Sequence, residues 1–125
     1  MSKVLSDQEL HNLAMNIVGK ELKSKGYEFI AVNSQLKRHP QFVCIYKNNQ
    51  RYFVIVKAAT ITCLPITFDV IWMETFKKHA ASQQAKVLFA VVGLGDVKNQ
   101  KLPPNLNEEY LLQYDGLQHL EIELN

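Results

Sequence analysis

The feature of this sequence that most limits its fold is the uninterrupted apolar run Tyr52-Phe53-Val54-Ile55-Val56. Successive side chains of a β-strand point to opposite faces of a sheet, so a strand that is apolar at every position has both faces covered. We therefore expect Arg51–Ala58 to be a central strand of a sheet whose faces are covered by helices. A second apolar run, Lys86–Val92, ends at Gly93-Leu94-Gly95 and predicts another buried strand.

Two helices are predicted, one before and one after the central strand. Ser6 and Glu9 fit a capping box at the start of a helix over residues 6–25, in which apolar residues recur at helical spacing. A second helix is predicted over residues 67–82, with Asp69 in its first turn. Its expected buried stripe consists of four apolar residues: Phe68, Ile71, Trp72 and Phe76.

Shorter strands and their turns complete the expected fold. Four further segments have the composition of strands: Tyr27–Asn33, Gln41–Lys47, Tyr110–Tyr114 and Leu120–Leu124. Asn48-Asn49-Gln50 predicts a hairpin turn because Asn tolerates a positive φ, and Asp115-Gly116 predicts a second turn. The order helix–three strands–helix–strand, followed by a strand-rich C-terminal tail, predicts an α/β fold with a mixed sheet. The helix between the third and fourth strands makes that pair parallel. With 125 residues and no repeat or linker, we expect one domain over residues 1–125.

The cysteines and histidines are too few and too scattered to predict a metal site or an iron–sulfur cluster. Cys44 and Cys63 are far apart and the four histidines show no partner spacing, whereas such sites need about three or four clustered ligands. Gly93-Leu94-Gly95 is not followed by a helix, so we interpret it as a turn at the end of a strand and not as a dinucleotide site. We expect no cofactor, two free thiols and a cytoplasmic protein without membrane insertion, because no apolar stretch approaches the ~20 residues of a membrane span.

Charge is distributed unevenly along the chain. Residues 20–57 carry eight Lys and Arg residues against Glu21 and Glu28, while residues 105–125 carry five acidic residues and no Lys or Arg. Two interpretations stay open: the basic half attracts phosphate, or the acidic tail folds against it and cancels its charge. We expect at most a weak nucleic-acid or protein partner through the basic half. Five residues are the candidates for ligand binding: Glu21, Lys37, Arg38, Arg51 and Lys57.

The element order and the lysine that ends the third strand resemble the restriction-endonuclease-like PD-(D/E)XK superfamily. The resemblance spans about residues 10–92 at the level of the fold. Three segments carry it: Leu22-x-x-x-Gly26-Tyr27, then Asn33, then Phe53-Val54-Ile55-Val56-Lys57. Members bind magnesium with an Asp from the second strand and a Glu two residues before the lysine. The resemblance therefore implies a restriction-endonuclease-like fold with its active site at the end of the third strand.

The sequence departs from that superfamily at both acidic positions. Ile55 occupies the position of the Glu, and Gln41 or Phe42 occupies the position of the Asp. Lys57 matches the lysine, and Glu21 matches an acid that some members carry on the first helix. Because hard divalent cations need carboxylate oxygens, we expect a non-catalytic binding or interaction module and not an enzyme. The alternative is an active metal-dependent nuclease whose acids have moved to Glu21 and Asp69.

At closer range the chain is similar to short bacterial proteins named as the F component of Na+-translocating NADH-quinone reductase. Four stretches carry this similarity: residues 9–20, 31–34, 40–44 and 114–117. The name implies an accessory protein of that redox complex. The redox component itself resembles a [2Fe–2S] ferredoxin domain joined to a flavin reductase, and its cluster needs four cysteine ligands. Because this chain has two cysteines and no flavin-binding pattern, we expect the name to be a mistaken transfer.

Overall fold

The computed structural model describes residues 3–35, 39–64 and 69–119. Within them the helices and strands are, in chain order, α1 (Asp7–Ser24), β1 (Glu28–Val32), β2 (Phe42–Tyr46), β3 (Gln50–Thr60), α2 (Val70–Ser82), β4 (Ala85–Asp96), β5 (Tyr110–Tyr114) and β6 (Gln118–His119). A 3₁₀ turn over Ile61–Cys63 follows β3. The α/β class is confirmed. Lys37, Arg38, Phe68 and the strand expected over 120–124 lie outside the described residues.

The strands form one mixed sheet in the order β1-β2-β3-β4-β5, with β6 also paired to β4. β3 and β4 are parallel, as the intervening helix predicts, and every other pair is antiparallel. Asn48 and Asn49 have φ of 61° and 59° and form the predicted turn between β2 and β3. The central position expected for β3 is confirmed, because it has a neighbour on each edge.

The core consists of two hydrophobic clusters, one on each face of the sheet. The α1 cluster includes Val54 and Val56 of β3 packed with α1 residues such as Val18. The α2 cluster includes Phe53 and Ile55 of the same strand, together with α2 residues and alternate residues of β4. Successive side chains of β3 therefore enter the α1 cluster and the α2 cluster in turn. Because both faces of the strand are buried, residues 52–56 are all apolar.

Helix α1 has the capping box that the sequence predicts. The Ser6 hydroxyl accepts a hydrogen bond from the Glu9 N–H at 3.2 Å, and the Glu9 carboxylate accepts one from the Ser6 N–H at 3.0 Å. These two bonds satisfy backbone donors that a helix otherwise leaves unpaired. Six residues of the helix are buried against the sheet: Leu10, His11, Ala14, Met15, Val18 and Leu22.

Helix α2 begins three residues later than predicted, and its buried stripe was predicted incorrectly at one position. Asp69 is its N-cap, and its carboxylate accepts a hydrogen bond from the Trp72 N–H at 3.1 Å. Trp72, Phe76 and Ala80 follow at intervals of four residues and face the sheet. Ile71 lies off this line and is 78% exposed.

Strand β4 runs through Gly93-Leu94-Gly95 to Asp96, so the turn expected at this point is wrong. Both glycines serve packing inside the strand. A Cβ at Gly93 would lie 2.6 Å from a methyl carbon of Leu64 and 3.2 Å from the carbonyl oxygen of Gln113. Glycine therefore allows the segment after β3 and the neighbouring β5 to approach the strand closely.

The C-terminal strands lie on β4, at the opposite side of the sheet from β1 and β2. β5 pairs with residues 92–96 of β4, and β6 pairs with Leu88 and Phe89 on the same edge. Both strands run antiparallel to β4, so the chain keeps its direction through Asp115-Gly116. These two residues interrupt the pairing but do not form a reversing turn. Among the described residues, no helix is long and apolar enough to cross a membrane.

Candidate functional site

A cleft opens where β3 extends beyond its neighbour β2. The pairing of β2 with β3 runs only from Gln50 to Val54, since β2 begins at Phe42. Gln41 continues the ladder: its N–H donates to the Val54 carbonyl at 3.0 Å, and its side-chain Oε1 accepts from the Val56 N–H at 2.8 Å. Gln41 is 0% exposed. Its side chain therefore closes the core, and the cleft begins immediately beyond it.

The cleft has a volume of about 400 Å³ and lies between the first turns of α1, the end of β3 and the segment that precedes β2. Its lining consists of Asp7, Leu10, His11, His39, Gln41, Val56, Lys57 and Ala58. Because it lies at an open sheet edge, residues of both faces of β3 reach it. We call this feature the β3 cleft.

Lys57 supplies the positive charge of the β3 cleft. It lies at the end of β3 and is half-buried, and this burial lowers the pKa of its ammonium group from the usual value. In the part of the chain that the structure describes, no ion pair involves Lys57. An ammonium group in this position favours a negatively charged ligand.

His39 is oriented in the cleft by the buried amide of Gln41. The Oε1 atom of Gln41 accepts from a backbone N–H, so its Nε2 atom is the donor that meets His39 Nδ1 at 2.9 Å. In the neutral imidazole the proton is therefore on Nε2. Burial is the largest cause that lowers the pKa of His39, and the charge of Lys57 lowers it further. The His39 ring also packs edge-on against Trp72, with centroids 5.1 Å apart.

His11 lies beneath the cleft on the buried face of α1. It is 3% exposed, and its Nε2 atom has no hydrogen-bond partner among the described residues. Burial lowers its pKa, and the nearby His39 and Lys57 lower it further. At neutral pH the cleft therefore has one lysine charge beside two neutral imidazoles. The Asp7 carboxylate is exposed at its rim.

The structure does not gather into one site the three sequence-predicted residues that it describes. Glu21 lies ten residues beyond His11 on α1, which is about 15 Å along the helix axis, and it pairs with Lys25 at 2.9 Å. Arg51 is exposed at the start of β3, six residues or about 20 Å from Lys57. Lys37 and Arg38 lie outside the described residues. Of the candidates that the structure describes, only Lys57 lines the β3 cleft.

The surroundings of Glu21 show what the acidic tail contacts in the described residues. Burial raises the pKa of Glu21, but the Tyr114 hydroxyl, Lys25 and the Leu117 N–H together outweigh burial, and the pKa is lowered. Burial first, and then the neighbouring Glu21, raise the pKa of Tyr114. This part of the tail thus meets an acid of the basic half. Whether the tail cancels the charge of the basic half stays a prediction.

The positions at which the resemblance to nucleases would place the two acids have structural roles in this chain. Ile55 is 0% exposed in the α2 cluster, and Gln41 binds the edge of β3. Phe42, the other residue proposed for the Asp position, begins β2 and packs in the α1 cluster. Within residues 3–35, 39–64 and 69–119, no three His, Cys, Asp or Glu side chains are grouped so as to hold a metal ion.

Sequence reasoning missed the two histidines of the cleft by treating all four as scattered. Two signals were present in the sequence. His11 follows Leu10 and precedes Ala14 on the apolar face of α1, where a polar ring must be buried. His39 stands two residues before Gln41, close enough in the chain for the two side chains to meet, as they do at 2.9 Å.

Comparison with known proteins places most of this cleft in one family. A family model described as "Domain of unknown function (DUF8840)" matches residues 8–120. The match runs from the first turn of α1 past β6, so it includes all the residues that line the β3 cleft except Asp7. A search of curated proteins gives no match. The chain therefore belongs to the DUF8840 family.

Proposed function

We propose that the protein is a non-catalytic binding module with a restriction-endonuclease-like fold, and that it binds phosphate-bearing nucleic acid through the β3 cleft. The observation that carries this proposal is the filling of both acidic positions. Ile55 is a hydrocarbon side chain inside the α2 cluster, and the Gln41 oxygen accepts the Val56 N–H. A cleft without these carboxylates lacks the oxygen ligands that magnesium needs, but it keeps a lysine for an anion.

The charge of the chain supports a phosphate ligand. Lys57 has no ion-pair partner in the described part of the chain, and residues 20–57 have a large excess of Lys and Arg. Lysine and arginine neutralise phosphates and release bound counterions, which makes binding depend strongly on salt. With a net charge of only +2, weak binding is expected. We also propose a cytoplasmic location, which suits the free thiols of Cys44 and Cys63.

Fluorescence anisotropy with labelled single-stranded and duplex oligonucleotides tests the binding. We expect weak affinity that falls steeply as salt rises. Lys57→Ala should weaken binding more than Lys47→Ala, a matched control that removes an equal charge from the exposed β2–β3 turn. Equal effects of the two variants would show that the cleft is not the site. No binding at low salt would overturn the nucleic-acid ligand and direct the search to a protein partner.

Incubation of the same oligonucleotides with magnesium or manganese tests the absence of catalysis. We expect them to stay intact. Cleavage that Lys57→Ala abolishes would overturn the proposal in favour of an active nuclease with Glu21 and Asp69 as its acids. In the structure these two carboxylates pair with Lys25 and cap α2. Visible absorbance from flavin or iron in the purified protein would instead support the redox accessory role.

A further inference from the structure

We propose that the β3 cleft is a subsite for a phosphate monoester group, held by the Lys57 ammonium group and by the imidazole N–H groups of His39 and His11. This inference rests on the proposed function and names the group that the cleft takes. A monoester phosphate has three terminal oxygens and carries up to two negative charges. The three side chains offer one full positive charge and two neutral donors of the kind that such oxygens accept.

The hydrogen-bond chain to His39 makes this residue a prearranged donor. The Val56 N–H donates to Gln41 Oε1, and Gln41 Nε2 in turn lies 2.9 Å from His39 Nδ1. Both Gln41 atoms have fixed roles, so the Nε2 proton of His39 is left for a ligand. Contact with the Trp72 ring further restricts the orientation of the imidazole. A donor that is held in place before binding loses little conformational freedom when it binds.

His11 is the second, independent sign of a ligand. It is a nearly fully buried side chain of the cleft lining, and its Nε2 atom lacks a partner in the described residues. Buried polar atoms are normally paired, and an unpaired one in a native structure calls for an explanation. The Nε2 atom is shielded from solvent in the structure, so a phosphate oxygen supplies the missing partner when a small movement of the cleft lining opens this atom to it. Lys57 beside it then gains a negatively charged partner, which no ion pair among the described residues supplies.

The other charged group at the cleft limits where the phosphate can sit. Asp7 is exposed on the first turn of α1, at the rim. Its negative charge repels an anion at the mouth, so the phosphate lies deeper, toward Lys57 and His11. The same lysine charge opposes a metal cation at this place. A terminal phosphate, which has oxygens free on three sides, suits such a pocket better than a phosphodiester, whose chain must pass in and out.

Titration with inorganic phosphate, followed by NMR of the imidazole nitrogens, tests the subsite. We expect the Nε2 signals of His11 and His39 to shift together along one binding curve. Lys57→Met should weaken phosphate binding about tenfold or more, which corresponds to the loss of about 1.4 kcal/mol. Lys47→Met, a matched control on the exposed turn, should change it less than about twofold. Unmoved histidine signals, or equal effects of the two variants, would overturn the inference.

Oligonucleotides with a 5′-phosphate or a 5′-hydroxyl distinguish the source of the group. If the source is a nucleic-acid end, the phosphorylated strand should bind about tenfold more tightly, and Lys57→Met should remove this advantage. Equal binding of the two strands, with histidine shifts by inorganic phosphate, supports the subsite and identifies a small phosphorylated molecule as its ligand. Binding of the 5′-hydroxyl strand without any histidine shift would overturn the subsite and leave the binding module intact, whereas cleavage would overturn the proposed function itself.

Discussion

The first and last parts of β3 belong to one continuous strand but have different surroundings. Residues 52–56 are buried, with β2 on one side along most of this stretch and β4 on the other, and their side chains enter the two hydrophobic clusters. Residues 57–60 keep β4 as a neighbour but lie beyond the end of the β2 pairing. They are only half-buried, and the β3 cleft opens beside them.

The boundary between the two parts is the Gln41 side chain. It accepts the Val56 N–H as a neighbouring strand would, and on its other side it meets His39. Stability and binding therefore depend on adjoining parts of this strand. Val56 is the last core residue, and Lys57 is the first residue of the part that we assign to binding. Substitutions before the boundary should change folding, and substitutions after it should change ligand binding with little effect on folding.

The largest effect is expected for Ile55→Glu, in the first part of the strand. The new carboxylate would be buried without a partner in the α2 cluster, so the free energy of unfolding should fall by about 4 kcal/mol or more. Urea denaturation measures this change. Ile55→Val is the matched control and should cost about 0.5–1.5 kcal/mol. A well-folded Ile55→Glu protein, or one that cleaves nucleic acid with magnesium, would contradict the assignment of Ile55 to the core.

A smaller loss is expected for Trp72→Ala in α2. The indole is half-buried and stacks on Phe76 with centroids 5.4 Å apart. Because part of the ring stays in solvent, we expect a loss of about 2–3 kcal/mol, below the cost of a fully buried ring. Ile71→Ala, next to it on the exposed side, should change stability by less than about 0.5 kcal/mol. Equal losses from the two variants would mean that the helix face is assigned incorrectly.

These two neighbours also show where prediction from the sequence succeeds and where it stops. The double-sided apolar pattern of β3, the capping box of α1 and the Asn-Asn turn are local signals, and each predicted its element correctly. The face of α2 depends on which of two neighbouring stripes meets the sheet. Ile71 and Trp72 lie about 100° apart around the helix, and packing against the sheet selects the side that carries Trp72, Phe76 and Ala80.

The candidate site was predicted less completely than the fold, since it is built from distant segments. Lys57 could be singled out because it ends an apolar strand. His11 and His39 lie 28 residues apart in the sequence, and only the packing of α1 beside the end of β3 brings them to one cleft. The extent of β4 past its glycines depends in the same way on contacts with Leu64 and β5.

The histidines of the cleft should make stability depend on pH in a defined direction. Their pKa values are lowered in the folded protein, first by burial, so the unfolded chain binds more protons once the pH falls below about 6.5. The stabilisation is fully present above that pH and is lost as the pH falls toward the lowered values. Urea unfolding between pH 7.5 and 5 should show this loss. His11→Phe, which keeps a ring but cannot titrate, should reduce it, and an unchanged pH dependence would contradict the burial of neutral His11.

Lys57→Met is the most direct test of the separation along β3. The variant keeps a long apolar side chain at the cleft and removes only the charge that burial already disfavours. Urea unfolding should therefore show a change of less than about 0.5 kcal/mol, while calorimetric titration of the same sample with inorganic phosphate should show binding weakened about tenfold or more. A variant that binds phosphate as tightly as the wild-type protein, or that loses stability to the extent of a core substitution, would contradict the assignment of the end of β3 to binding.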